Sequence, residues 1–169
     1  RLVVVTNRRR RAINLWEQDA LLGLACLYGV ELLATNVTMC RQRLFEIFRD
    51  TYSDHFGNLC RDAVVSAAQN IVNTNILRGD AVAMTSTDDS DASAKPLVFS
   101  EWSMLSGGLF KRRLFEYRRL VRSIEGTNSE MFGDRPDAID SDHGATVFIE
   151  KPLCDLPLIH YLKLGEEGP

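Results

Sequence analysis

No apolar run in this sequence approaches the ~18 residues that a bilayer-spanning helix needs. The most apolar stretch, residues 20–34, is broken by Gly23, Tyr28, Gly29 and Glu31. A secretory signal pattern is also missing. None of the four cysteines stands in a CxxC pair, and no Cys/His cluster has zinc-like spacing. There are three histidines, His55, His143 and His160, and no GxSxG nucleophile elbow. Gly107-Gly108 lacks the third glycine and the lysine–hydroxyl pair of a phosphate loop. These gaps exclude the recognisable hydrolase, nucleotide-enzyme and zinc-site patterns. No catalytic, cofactor-binding or metal residue is assigned, and no cofactor is expected.

What is present is ordinary globular material. At 169 residues with 45% hydrophobic and 25% charged, the chain suits one domain with a proper core. The net charge of −3 gives no global pull toward nucleic acid or an anionic membrane. Cys26, Cys40, Cys60 and Cys154 sit in or beside apolar segments, so they read as buried, reduced thiols. That favours an intracellular, reducing compartment. The chain opens at Arg1 directly in a strand-like run and reads as an excerpt of a longer protein. Residues 85–95 and 126–142 read as loops or as joins across missing residues.

Residues 2–6 are β-branched and read as a strand, and residues 13–16 as extended structure. Asp19 reads as a turn. Residues 21–33 read as a buried strand, with helix as the alternative, because Gly23 and Gly29 weaken a helix. Residues 38–56 carry Leu44, Ile47, Phe48, Tyr52 and Phe56 on one helical face. Gly57-Asn58 supplies a C-cap and then an N-cap. A second helix follows, where Ala63, Ser66, Ala67 and Ala68 permit close packing. A third helix is expected over residues 101–125, because Phe110, Leu114, Tyr117, Val121 and Ile124 recur with heptad-like spacing. Residues 145–149 read as a strand. The predicted fold class is α+β, a small mixed or antiparallel sheet packed against about three helices.

Two features stand out as interaction surface. One is the run Arg8, Arg9, Arg10 and Arg11. The other is the expected third helix, where Phe110, Leu114, Tyr117 and Val121 form a seam flanked by Arg112, Arg113, Arg118 and Arg122. Large apolar residues ringed by arginine suit a protein interface. The same arginines suit an anionic membrane surface or nucleic-acid phosphates. Asp140, Asp142 and His143 carry oxygen and imidazole donors, yet read as an acidic solvated loop. Asp88, Asp89 and Asp91 lack the glycine and the bidentate glutamate of a calcium loop. His55 reads as a solvated or capping histidine.

Three segments, DALLGLACLYGVEL from Asp19, LFEIFRDTYSDHFGNLCRDAVVSAAQNIVNT from Leu44 and ATVFIEKPLCDLPLIHYL from Ala145, resemble the SPFH (band 7, prohibitin and stomatin) family. They cover about half the chain. The shared elements are a turn then a strand, an aromatic helix leading through a glycine to an Ala/Val-rich helix, and a closing strand ending in Leu-Pro. Residues 85–144 depart from the family pattern, and its membrane anchor and long coiled coil have no counterpart in these residues. The resemblance implies a membrane-associated scaffold that forms large oligomers, with no catalytic residues to carry over. The expected function is a structural or scaffold subunit whose partners are other protein subunits, like or unlike. The alternatives are a nucleic-acid-binding module using arginines 8–11 and 111–122, and an enzyme whose site follows no familiar pattern.

Overall fold

The structure is a computed structural model that describes residues 13–87, 95–124, 137–140, 146–149 and 151–166. The expected strand at 2–6 and the arginine run at 8–11 lie outside them.

The chain enters through helix α1 (Ile13–Ala25), where Trp16, Glu17, Ala20, Leu21, Leu24 and Ala25 are buried. Those positions repeat at helical spacing, and they start ahead of the apolar run that reads as a strand. The strand expectation for 21–33 is therefore corrected, as are the extended reading of 13–16 and the turn at Asp19. Gly23 costs only its propensity, since a Cβ there would meet nothing within 4 Å. The strand survives as three residues, β1 (Gly29–Glu31).

Helix α2 (Ala34–Phe56) stops at Gly57, whose φ of 53° only glycine adopts cheaply. A 3-10 turn (Gly57–Leu59) follows, and Arg61, not Asn58, is the N-cap of α3 (Asp62–Asn75). β2 (Ile76–Asp80) then pairs parallel to β1, with Val30 opposite Leu77. Parallel pairing needs a long crossover, and α2 with α3 supplies it. β3 (Thr85–Ser86) adds antiparallel to β2.

β4 (Val98–Leu105) and β5 (Leu109–Glu116) form a hairpin paired along all of both strands. Its turn is Ser106-Gly107-Gly108, with φ of 79° and 73° at the two glycines. The long helix expected over 101–125 is thus a hairpin, and only α4 (Tyr117–Ile124) is helical. A spacing of four keeps Phe110 and Leu114 on one face of a strand as well as of a helix, which is why the seam misleads. β8 (Cys154–Asp155) and β9 (Ile159–His160) pair along the far edge of β5. A separate two-stranded sheet joins β6 (Asp137–Asp140) to β7 (Thr146–Ile149). Asp140 thus ends a strand instead of lying in a loop, while Asp88, Asp89, Asp91, Asp142 and His143 lie outside the described residues.

The architecture is α+β: a mixed sheet and an antiparallel sheet, with helices packed against both. The main core joins Trp16, Leu21 and Leu24 of α1 to Phe48 and Tyr52 of α2, Val64, Ala67 and Ile71 of α3, and Trp102 and Phe110 of the hairpin. The small residues of α3 do permit close approach. A Cβ on Gly165 would lie 2.5 Å from the Ser66 Cβ, so the C-terminal turn rests directly on the helix. Cys26, Cys40 and Cys154 are exposed, which corrects the expectation of buried thiols; only Cys60 is partly covered.

Asn75 ties the ends of α1 and α3 to the middle of β4. Its Nδ2 donates to the Ala25 carbonyl at 2.9 Å, and its Oδ1 accepts from Trp102 Nε1 at 2.9 Å. Truncation orphans both buried partners. Asn75→Ala is expected to lower unfolding stability by about 2–3 kcal/mol in urea titration.

Candidate functional site

The most concentrated chemistry lies between α1, α2, the start of α3 and the C-terminal turn. Glu17 faces the core of α1 and is 0% exposed. Its carboxylate is held by four donors. Tyr52 Oη and Arg61 Nε, the latter at 3.0 Å, donate to Oε1. Arg61 Nη2 and Tyr161 Oη, the latter at 3.2 Å, donate to Oε2. Arg61 therefore grips the carboxylate bidentately, the strongest form of this pair.

The surrounding contacts fix the fork in place. Arg61 Nη2 also donates to Asn14 Oδ1 at 2.7 Å and to Tyr161 Oη at 2.9 Å. The backbone N–H of Arg61 donates to Tyr52 Oη at 3.1 Å. The guanidinium lies 5.7 Å from the Tyr161 ring centroid. Trp16 stacks on Tyr52 at 5.2 Å, and His55 lies 5.8 Å from Trp16. His55 Nδ1 sits 2.7 Å from the Thr51 carbonyl in the last turn of α2, the capping place expected for it.

The electrostatics follow from burial beside a fixed negative charge. Tyr52 ionises far above its ordinary range, because burial disfavours the phenolate and Glu17 holds the neutral hydroxyl. Tyr161 shifts the same way, from burial first and the Glu17 charge second. The Arg61 guanidinium is pushed up by its bonds to Glu17. A carboxylate offers about four acceptor positions, and these four donors occupy them. The cluster is a clamp between elements, and its carboxylate has no lone pair left to serve as a base.

The residues singled out as interaction surface divide. Arg8, Arg9, Arg10 and Arg11 lie outside the described residues, as does the side chain of Arg122. Phe110 is 0% exposed and belongs to the core. Arg112 donates to Ser100 Oγ at 2.8 Å and sits 5.1 Å over the Trp102 ring. Arg113 pairs with Glu101 at 2.8 Å, which raises its pKa, and lies over Phe115. Leu114, Tyr117 and Val121 are half-buried, with Tyr117 edge-on to Phe99 at 5.3 Å. Arg118 donates to the Ala83 carbonyl at 3.3 Å. The seam is thus not one exposed face, and Arg112, Arg113 and Arg118 hold partners within the chain.

Sequence reasoning missed Glu17. The available signal was its place beside Trp16 and three residues before Ala20, on the stripe that becomes the core face. Among the described residues, no group of three or more His, Cys, Asp or Glu side chains is arranged to hold a metal ion.

Glu17→Gln removes the ion pair while keeping the shape. It is expected to cost about 3 kcal/mol in chemical unfolding. Tyr28 gives a pH test. Partial burial, helped by Cys26 and Glu101, pushes its pKa from 10.0 up to about 12, and because Tyr28 stays 45% exposed, water screens the effect and keeps its contribution to stability small. A raised acid pKa means that the folded chain keeps the proton longer. The stability this contributes is full below the unfolded value and is lost as pH rises through the folded one. Urea midpoints should fall between about pH 10 and pH 12, and Tyr28→Phe should make that fall shallower. Comparison with known proteins supplies no relative for this arrangement: no family model, no curated protein and no solved structure matches the chain.

Proposed function

We propose that this domain is a non-enzymatic structural subunit of a larger protein assembly. The observation that carries the reading is the incomplete cover of α2. That helix has 23 residues, yet only Val37, Phe48 and Tyr52 are buried. Leu33, Cys40 and Ile47 recur every seven residues beside the buried stripe, and all three are exposed. Such a spacing keeps side chains nearly in line on a helix. Ile47 is 54% exposed although the apolar periodicity places it on the core face, and Leu33 is 57% exposed. Leu32 and Met39 add 52% and 48% exposure nearby. The apolar arc of α2 is therefore wider than this domain covers, which fits contact with another protein subunit.

The energetics of the cluster around Glu17 agree with this reading. Its charges are arranged to hold helices together, and a rigid platform suits an assembly part. The SPFH resemblance rests on the sequence segments alone, and the first of them, expected as a turn then a strand from Asp19, lies in helix α1 as far as Ala25. That resemblance supports the membrane-associated form of the proposal. None of the helices of the described residues is long and apolar enough to cross a membrane.

The protein isolated under native conditions is expected to migrate well above the 19.0 kDa of this chain in size-exclusion chromatography with light scattering. Ile47→Asp, at an exposed position, should release it from the assembly without lowering its thermal midpoint. A native protein that is strictly monomeric, or an assembly indifferent to Ile47→Asp and Leu33→Asp together, overturns the proposal.

A further inference from the structure

A cleft of about 400 Å³ opens between the first turns of α2, strand β2 and the chain leading into β4. Its volume is in the range that holds small molecules. Three cationic side chains line it, Arg41, Arg78 and Lys95, together with the hydroxyls of Thr38 and Ser86. No carboxylate lines it among the described residues. Val37, Leu77 and Leu97 are the apolar part of the lining.

Arg41 is held firmly. Its Nε and Nη2 donate to the Ile76 carbonyl at 2.9 and 2.6 Å, and Nη2 also donates to the Asn73 carbonyl at 3.0 Å. These bonds cap the end of α3 and fix a positive charge at the cleft wall. The cleft also meets the positive end of the α2 dipole. The first turn of α2 carries no acid, though the Glu31 carboxylate just before it accepts from the backbone N–H of the N-cap, Leu33, at 3.0 Å. Arg41, Arg78, Ser86 and Lys95 hold contacts within the chain as well. A ligand would join those contacts, since a guanidinium has five N–H donors and an ammonium three.

We propose that this cleft binds a small phosphate-bearing molecule. Its phosphate lies among Arg41, Arg78 and Lys95, and its uncharged part rests on Val37, Leu77 and Leu97. Three cations suit a dianion better than a single carboxylate, and the mixed lining suits an ester better than free phosphate.

The test is calorimetric titration of the whole chain with inorganic phosphate, phenyl phosphate and benzoate at constant ionic strength. Phenyl phosphate is expected to bind saturably, about tenfold more tightly than inorganic phosphate. Benzoate should bind more weakly than phenyl phosphate. Lys95→Ala, at an exposed position, should weaken phenyl phosphate about tenfold and leave the thermal midpoint of the free protein unchanged. Arg78→Gln should weaken it further. Absence of saturable binding, equal affinity in Lys95→Ala, or benzoate binding as tightly as phenyl phosphate would each overturn the proposal. Phosphate binding as tightly as the ester removes the apolar half of the site and overturns the assignment to an ester.

Discussion

A carboxylate that is fully removed from water must be met by positive charge and hydrogen-bond donors, or it costs several kcal/mol. Glu17 imposes that requirement on the whole helical layer. Its four bonds come from Tyr52, Arg61 and Tyr161, residues spread across most of the chain. Satisfying them brings the C-terminal part of α2, the N-cap of α3 and the turn at Tyr161 to one side of α1. The stacking of Trp16 on Tyr52 then closes the apolar side of the same joint. A buried pair of this kind adds little net stability by itself. What it adds is a penalty for any arrangement in which one of these elements is displaced.

Other joints repeat the pattern with neutral groups. Asn75 links the ends of α1 and α3 to the hairpin, and Asn70 Nδ2 donates to the Leu164 carbonyl at 2.5 Å. Arg41 closes the end of α3 from α2. Each bond runs from a side chain on one element to a distant part of the chain. Together they position the parallel β1–β2 pair, and hence the cleft beside it. Among the described residues, α2 and its N-cap leave Leu33, Met39 and Ile47 uncovered, and other exposed apolar side chains, Leu59 and Val82 among them, lie away from that helix.

The fold class was legible in the sequence, and so were α2, its glycine stop and α3, because their apolar residues repeat at helical spacing with clear ends. Two elements were not. The run from Leu21 is apolar on nearly every side, so periodicity within it cannot separate strand from helix. The deciding signal lay earlier, in the stripe from Trp16 to Ala20. The hairpin was hidden because Phe110 and Leu114 are four apart, a spacing that fits both periods. The Glu17 cluster was harder still. The helical stripe places Glu17 on the core face, but nothing local identifies the groups that meet its charge when they lie 35, 44 and 144 residues away. Only tertiary folding brings them together.

Glu17, Arg61 and Arg41 hold the domain's own elements in place, and the binding proposed for it falls on the α2 arc and the basic cleft. The central claim is that Glu17 and Tyr161 act as one unit joining the first helix to the last turn. A double-mutant cycle on Glu17→Gln and Tyr161→Phe, read by urea unfolding, tests it most directly. The account predicts that the two effects are non-additive by about 1 kcal/mol or more. Effects that add within about 0.3 kcal/mol would contradict it.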